Sequence, residues 1–419
     1  MIILTLLLYF PVLFLVYYAR VMLAGMGIFL DLIPTALIHT LVFLAVATAV
    51  KFVRKLICKR KNVTPKKDKN LKIYGLVTVG FTVMYALNSY GILTRAVSGY
   101  LVPICAYIVL AISLNLVVGI SGELSLGHAG FMGIGAFAGI VAAACLKPMI
   151  ADPFVRLVLA MFVGGGFAGV FGFIIGIPVL RLRGDYLAIV TLAFGEILKN
   201  VINTLYVGLD SAGLHLWMDK DAAVLADGGK MIIDGAMGAK GVERISTFFA
   251  GFLLILFALV VILNLIYSKE GRAIKAVRDN RIAAESVGIN VTAFRLKAFV
   301  ISAFLAGMAG ALFGLNYGST APAKFSYNTS IDILVYVVLG GMGNIFGSII
   351  STVTLYLVPE FLREMADLRM IMYAIVLIVV MLFTWSPKFK LFIQSIKGIV
   401  TDKILVVFKK RKKEVAADE

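Results

Sequence analysis

SKEGRAIKAVRDNRIAAESVGINVTAFRLK, residues 268–297, is a charged segment of helix-forming composition between two long apolar segments. Charged groups are costly in lipid, so a segment this polar lies in water when its neighbours lie in a membrane. The segment is therefore predicted to be a water-exposed loop between two membrane spans. A loop of this length and charge predicts a surface that a partner in the aqueous phase contacts.

The composition of the whole chain indicates a membrane protein with several spans. The mean hydropathy is +0.99, 61% of the residues are hydrophobic and 15% are charged, whereas a soluble domain carries about 25% charged residues. Lys and Arg number 40 against 23 Asp and Glu, but they cluster between apolar runs, where they set topology and contact lipid headgroups. We therefore expect contact with the lipid bilayer and no nucleic-acid partner. Cys58, Cys105 and Cys145 are too scattered for a disulfide framework or a metal site.

About 20 apolar residues cross a bilayer as a helix. Runs of this kind predict spans near 2–18, 35–52, 73–93, 100–118, 128–146, 156–178, 186–205, 247–267, 297–315, 346–362 and 370–386. The first run follows no cationic leader and precedes no small-residue cleavage site, so we expect a retained span and not a signal peptide. The fold class predicted from these runs is all-α, a polytopic helix bundle.

Orientation follows from Lys and Arg in the short loops, which favour the cytoplasm. The linker 51–72 is strongly basic, and counting spans from it places 181–185 and 268–296 inside and 207–245 outside. With the spans given above, the count places the basic C-terminal tail outside, against this preference. One further crossing places it in the cytoplasm, and the candidate for it is 331–347. Its short apolar part and its glycines predict a broken or half-length helix, which is tolerated where it is buried in protein or faces a wet cavity.

The basic linker is also the one candidate domain boundary. The count gives about twelve crossings. Two belong to an N-terminal extension over residues 1–70 and about ten to a core over 71–390, and a basic cytoplasmic tail follows over 391–419. Both termini are then expected in the cytoplasm. Within the core, glycines four residues apart at 135/139, 165/169, 172/176 and 310/314 predict closely packed helices.

Polar residues interrupt the apolar pattern in NLVVGISGELSLGHAGFMGIGAF, residues 115–137. A carboxylate at the centre of a membrane costs roughly 2.5–3.5 kcal/mol on insertion scales, so Glu123 and His128 are expected in a helix break that faces protein or water. They either satisfy backbone groups that the break leaves free or contact what the bundle binds. His39, His128 and His215 are the only histidines, and their spacing fits no metal site.

A second carboxylate stands in RLRGDYLAIVTLAFGEILKN, residues 181–200. Arg181 and Arg183 are expected to anchor at the membrane interface and Asp185 to cap the following helix. Glu196 lies within that helix, and Lys199, one turn further on, could pair with it.

The sequence contains none of the common catalytic motifs. There is no G-x-x-x-x-G-K-[ST] loop, so the chain does not hydrolyse nucleotide by that route, and there is no nucleophile elbow or zinc-protease helix. We expect no catalytic residues, no cofactor and no metal; if ATP is used, another subunit hydrolyses it. For residues 268–297 the alternative to partner binding is an amphipathic helix that lies on the lipid headgroups.

Five segments in order resemble the M-type permease subunit of branched-chain amino-acid ABC importers. They are residues 115–137, RLRGDYLAIVTLAFGEI (181–197), GRAIKAVRDNRIAAESVGIN (271–290), VVLGGMGNIFGS (337–348) and PEFLREMADLRMIMYAIVLIVVMLF (359–383). The similarity covers roughly residues 72–390. Ala283, Ala284 and Gly288 also keep the A-A-x-x-x-G spacing of the E-A-A-x-x-x-G loop of ABC importers, with Ile282 at the Glu position. In those importers the loop forms a short helix that docks on a cytosolic ATPase.

The resemblance implies a multi-pass subunit of a bacterial inner membrane, with a core like that of vitamin-B12-type importer permeases. The implied partners are two cytosolic ATPase subunits, a homologous second permease and an extracytoplasmic amino-acid-binding protein. The expected ATPase-coupling residues are Gly271, Arg272, Arg278, Asp279, Ala283, Ala284, Glu285 and Gly288. The candidates for the translocation pathway are Asn115, Ser121, Glu123, Ser125, His128, Glu196, Gly340, Gly341 and Gly343.

Two other functions stay open at this point. Importers of urea or short amides share most of these motifs. An ion-coupled secondary transporter would use Glu123 and His128 as coupling groups, but it has no need of an ATPase-docking loop. A membrane enzyme is disfavoured by the missing catalytic motifs.

Overall fold

The computed structural model describes residues 71–89, 93–182, 184–210, 213–220 and 229–361, with 374, 375 and 378. The chain divides into two compact units, Met1–Thr352 and Val353–Glu419. The predicted extension 1–70 and the tail 391–419 lie outside the described residues, and the predicted span at 370–386 is described at three positions only. The helices of the described part are α1 (Leu71–Ser89), α2 (Arg95–Asn115), α3 (His128–Leu146), α4 (Pro153–Val179), α5 (Asp185–Asn203), α6 (Phe248–Tyr267), α7 (Lys269–Asp279), α8 (Arg281–Ser286), α9 (Val291–Gly314), α10 (Tyr327–Gly340) and α11 (Ile345–Phe361).

Several of these helices suit a membrane. Among the described residues, six helices are long and apolar enough to cross one: Val97–Ser121, His128–Leu146, Pro153–Val179, Tyr186–Asn203, Phe248–Tyr267 and Val291–Gly314. Helix α4 also exposes large apolar side chains, including Phe162, Phe167, Val170 and Phe173, as a lipid-facing or partner-facing helix does. The prediction of a polytopic helical membrane protein is confirmed.

The predicted break after Asn115 is present. Helix α2 continues into one π-helical turn, Leu116–Ser121, which ends at Gly122 with φ of +78°. Residues 122–127 then run without regular structure to the start of α3 at His128. Glycine is the residue that adopts positive φ without strain, so Gly122 stops the helix at this point.

The packed centre of the bundle consists of α3, α4 and α9, and small residues set its spacing. A Cβ atom on Gly135 would lie 2.1 Å from the Gly307 carbonyl oxygen, and one on Gly310 would lie 2.0 Å from that of Met132. A Cβ on Gly172 would lie 2.6 Å from the Ala303 Cβ. Contacts this close exclude a side chain at these positions, which confirms the close packing predicted from the glycine spacing.

The all-α prediction is wrong in one respect, because the described part also contains a five-stranded antiparallel sheet. Its strands are β1 (Tyr206–Asp210), β2 (Gly213–Trp217), β3 (Lys230–Asp234), β4 (Ala239–Lys240) and β5 (Ser319–Thr320), in the order β2-β1-β3-β4-β5. The strands have at most five residues. Strand β4 pairs with β5, although the four helices α6 to α9 lie between them in the sequence. A long-range pairing of such short strands leaves no alternating pattern in the sequence.

The predicted broken segment 331–347 is also present. Helix α10 has 14 residues and a length of about 21 Å, less than the ~30 Å of a hydrocarbon core. It ends at Gly340, and Gly341 and Gly343 have φ of +90° and +82°. The chain then enters α11 at Ile345. The glycines therefore form a tight turn between two short helices.

Helices α6 and α9 connect the two ends of the bundle. We call β1–β5 the sheet end and α7–α8 the hairpin end. Helix α6 follows the strands and leads directly into α7, and α9 follows α8 and leads to β5. Twenty residues of α6 rise about 30 Å. The sheet and the hairpin therefore lie at opposite ends.

Candidate functional site

The charged segment 268–297 forms two short helices and the start of α9, each with a side-chain cap. Ser268 Oγ accepts from Gly271 N at 3.1 Å, Asn280 Oδ1 from Ala283 N at 3.0 Å, and Asn290 Oδ1 from Ala293 N at 3.1 Å. Each cap satisfies a backbone N–H that the helix itself leaves unpaired. The Ser and Asn residues at these three places therefore decide where the helices begin.

One face of this hairpin is buried. Val277, Ala284 and Val291 form a small apolar cluster, with Ile289 packed against it. Gly271 is buried as well, and a Cβ atom there would lie 2.1 Å from the Leu265 carbonyl oxygen. Gly271 thus packs against the end of α6 and Ala284 packs between α7 and the start of α9, and neither of these two predicted coupling residues faces water.

Gly288 ends α8. Its φ is +82° and no atom lies within 4 Å of an added Cβ. Gly288 N donates to Glu285 O and Ile289 N donates to Ala284 O, both at 3.0 Å. This pair of bonds is the Schellman arrangement that closes a helix at a left-handed residue. The A-A-x-x-x-G spacing therefore specifies a helix and its stop.

The other predicted coupling residues face solvent: Arg272, Arg278, Asp279, Ala283, Glu285 and Gly288. Between them lie two apolar side chains that sequence reasoning did not select, Ile282 at 80% exposure and Val287 at 74%. Arg281 pairs with Glu285 at 3.0 Å. Within this polar segment, Ile282 and Val287 are the large apolar side chains that stay exposed. Their only sequence signal is an apolar residue in a polar segment.

Arg278 joins the hairpin to the break in α2. Its Nη1 donates to the Gly119 carbonyl oxygen at 2.9 Å. Asn115, one turn earlier, accepts from Gly343 N at 2.7 Å through Oδ1 and donates from Nδ2 to Ser348 Oγ at 2.9 Å. The structure thus brings three predicted residues, Asn115, Gly343 and Arg278, to a single junction around Gly119.

Glu123 and His128 are both buried, as the sequence predicts. Glu123 Oε1 forms an ion pair with Arg295 Nε at 2.7 Å. His128 Nε2 lies 2.8 Å from Ser113 Oγ, and Ser113 Oγ donates to the Leu110 carbonyl oxygen. The Ser113 hydroxyl therefore contacts both the imidazole of His128 and the Leu110 carbonyl oxygen.

The remaining polar groups of the break differ in how well they are satisfied. Leu126 N donates to Thr191 Oγ1 and Ala129 N to Ser330 Oγ, so α5 and α10 hold the segment in place. Ser121 Oγ and Ser125 Oγ are buried without a hydrogen-bond partner among the described residues. Buried hydroxyls without partners are uncommon, so these two stand out among the residues of the break.

Glu196 lies apart from this break. It pairs with Lys199, as the sequence predicts, and its Oε1 accepts from Tyr327 N at 2.9 Å. Tyr327 is the first residue of α10, so Glu196 caps that helix. The prediction that Asp185 caps α5 is wrong by one residue. Helix α5 begins at Asp185, and its N-cap residue is Gly184, with φ of +59°.

Comparisons with known proteins identify the family of the chain. The family model described as "Branched-chain amino acid transport system / permease component" matches residues 96–384. The high-affinity branched-chain amino acid transport system permease protein LivM of Salmonella typhimurium is 36% identical over 300 residues, which are 67% of each chain. LivM of Escherichia coli (strain K12) is 34% identical over 300 residues, again 67% of each chain. LivH of that strain is 28% identical over 250 residues, 58% of this chain and 78% of LivH. No solved structure matches.

The described part of the chain is a helical bundle with six helices long and apolar enough to cross a membrane, and the matched relatives are permeases of transport systems. The chain belongs to the family of permease components of branched-chain amino acid transport systems.

Proposed function

We propose that this chain is the permease subunit of an ATP-driven importer in a bacterial inner membrane, and that it moves branched-chain amino acids delivered by a binding protein. The observation that carries the proposal is the match to LivM over two thirds of both chains. The similarity to LivH supports a homologous second permease as the other half of the pathway. Two ATPases on the cytoplasmic side complete the assembly.

The hairpin end is the surface that the ATPases would contact. It presents the exposed Ile282 and Val287 among charged side chains, and three caps and a Schellman turn fix its shape. In this proposal it lies in the cytoplasm, and the sheet end faces the binding protein. A movement of the hairpin would reach the break through Arg278 and Gly119 and the α10–α11 turn through Asn115 and Gly343.

The pathway itself would run beside the break at 116–127. Ser121 and Ser125 offer unpartnered hydroxyls there, whereas Glu123 and His128 already have partners. The ion pair with Arg295 makes Glu123 a poor carrier for a transported ion.

Reconstitution tests the proposal. The full chain would be co-expressed with the ATPases, second permease and binding protein that the proposal requires, taken from the same genome, and placed in proteoliposomes with ATP on the ATPase side. We expect uptake of leucine, isoleucine and valine that requires ATP and persists when ionophores dissipate ion gradients. Uptake of urea or acetamide in place of the amino acids would show the amide importer, and uptake abolished by ionophores would show the secondary transporter.

A further inference from the structure

The face of the sheet that meets the bundle continues onto β2. Side chains along a strand alternate between the two faces of a sheet, and residues directly opposite each other in neighbouring strands share a face. Val207 of β1 is opposite Leu216 of β2, and Leu209 is opposite Leu214. Val207 is buried, and Leu209 lines a cavity that the end of α3 also lines. Leu214 and Leu216 therefore lie on the face of the sheet that is directed toward the bundle.

Strand β2 extends this face beyond the bundle. Leu214 is 44% exposed and Leu216 63% exposed, and Met218, the residue after the strand, is 74% exposed. Residues 213–218 contain no Asp, Glu, Lys or Arg. Among the described strands, none pairs with the outer edge of β2. The part of the chain that the structure describes thus leaves large apolar side chains of β2 uncovered, on the side of the sheet where β1 is packed.

The opposite face of β2 has a different character. His215 Nε2 lies 3.0 Å from Asp210 Oδ1, and the His215 ring stacks on Trp217 with the ring centroids 5.5 Å apart. His215 and Trp217 alternate with the two leucines, so they lie on the face directed away from the bundle. Strand β2 is therefore amphipathic, with its aliphatic side chains directed toward the bundle and its imidazole directed away.

The direction of the aliphatic face indicates what covers it. Helices α3, α6 and α9 are long and apolar enough to cross a membrane, and the sheet lies at one end of them. A face of the sheet that is directed toward the bundle, but extends past it, is directed at the membrane surface. Large apolar side chains are stable at the boundary between headgroups and acyl chains, where Trp is also enriched. A water-soluble partner would reach the other face of the sheet.

We propose that β2 is a membrane-surface anchor, whose Leu214 and Leu216 side chains insert between the headgroups and the upper acyl chains of the leaflet at the sheet end. His215, on the other face, stays in water. The contact holds the β1–β2 hairpin at the membrane surface. This inference requires that the helices cross a bilayer, and it depends neither on ATP nor on the transported substrate.

Fluorescence quenching shows which face meets lipid. Trp217 and Trp385 are the only tryptophans, so both are replaced by Phe, and one Trp is introduced by Leu216→Trp or Leu214→Trp. His215→Trp, on the opposite face of the same strand, is the matched control. The full chain is placed in proteoliposomes of phospholipid brominated near the glycerol end of its acyl chains, which quenches on contact, and iodide on both sides of the bilayer reports exposure to water. We expect the ratio of lipid quenching to iodide quenching to be several-fold higher for the two leucine positions than for the control.

Three results would overturn the proposal. Equal ratios for Leu216→Trp, Leu214→Trp and His215→Trp would show that the two faces do not differ, and dominant iodide quenching at both leucine positions would place them in water. Weak quenching by both reagents would place them against protein, and a partner would be the occupant if this result appears only after the second permease or the binding protein is added. Two leucine positions keep the test decisive if one variant misfolds. Uptake of amino acids is measured separately, so its failure would overturn the proposed function and leave the lipid contact standing.

Discussion

At the residue scale, the junction around Gly119 concentrates the contacts on which the coupling proposal depends. A Cβ atom on Gly119 would lie 2.0 Å from Asn115 Oδ1 and 2.2 Å from Gly343 N. Only glycine at position 119 lets the α10–α11 turn approach this closely. The Gly119 carbonyl oxygen also accepts a hydrogen bond from Arg278. One residue without a side chain thus contacts both the hairpin and the turn.

Arg278→Gln should separate ATP hydrolysis from transport. The variant loses the hydrogen bond to Gly119 but keeps the buried cluster that seats the hairpin, so ATPase binding should persist. We expect the leucine transported per ATP hydrolysed in proteoliposomes to fall several-fold, since a hydrogen bond from a charged group contributes about 1.5–3 kcal/mol. Lys275→Gln, on the same helix, serves as the control. A normal ratio in Arg278→Gln would remove the junction from the coupling mechanism.

Gly288 allows a test of the helix stop itself. Because no atom lies near an added Cβ, Gly288→Val should act only through the left-handed backbone, which costs a residue with a Cβ about 1–2 kcal/mol. We expect the variant to insert normally but to bind the ATPases weakly in pull-down assays and to lose uptake. Gly288→Asn should stay close to wild type because Asn tolerates this conformation. Equal behaviour of the two variants would show that backbone conformation is not the reason for the glycine.

At the element scale, sequence patterns predict the helices but not the contacts between segments that are distant in the chain. The apolar run 128–146 coincides with α3. The glycines of residues 115–137 predict the break, and those of residues 340–347 predict the α10–α11 turn. The sheet and the Arg278–Gly119 contact each join segments that are distant in the chain. No local period reports such contacts. The pathway and coupling roles of the named residues stay predictions.

The sheet end should respond to acid through Glu243, which forms ion pairs with Lys147 at 3.2 Å and Arg156 at 3.0 Å. The hydrogen bond from Lys147 and the charge of Arg156 hold the pKa of Glu243 below its usual range. A carboxyl group whose pKa is lower in the folded than in the unfolded chain stabilises the fold fully above the unfolded value, about 4.3. That stabilisation is lost as the pH falls through the folded pKa. The unfolding temperature of the full chain in detergent should therefore decrease more steeply below about pH 4.3 in wild type than in Glu243→Gln. Parallel curves for the two proteins would contradict the role of these ion pairs.

At the scale of the whole molecule, the family match begins at residue 96 and the resemblance near residue 72, so we propose that residues 1–70 are an appendage to the core over 71–390. A chain that starts near Pro65 should assemble with its partners and transport leucine, with lower abundance at most, because the basic linker only orients the extension at the membrane surface. Uptake normalised to the amount of inserted protein measures this. Normal insertion without transport would assign the extension to the translocation machinery.

The central claim is that the hairpin end docks an ATPase, and site-specific crosslinking tests it most directly. A cysteine replaces Ile282 on α8 or, as the matched control, the exposed Met237 at the sheet end, and a short thiol-reactive photo-crosslinker is attached in the assembled importer. We predict a covalent product with an ATPase subunit from position 282 and none from position 237. A complex that hydrolyses ATP yet gives no ATPase product from position 282, or gives one from position 237, would contradict the account.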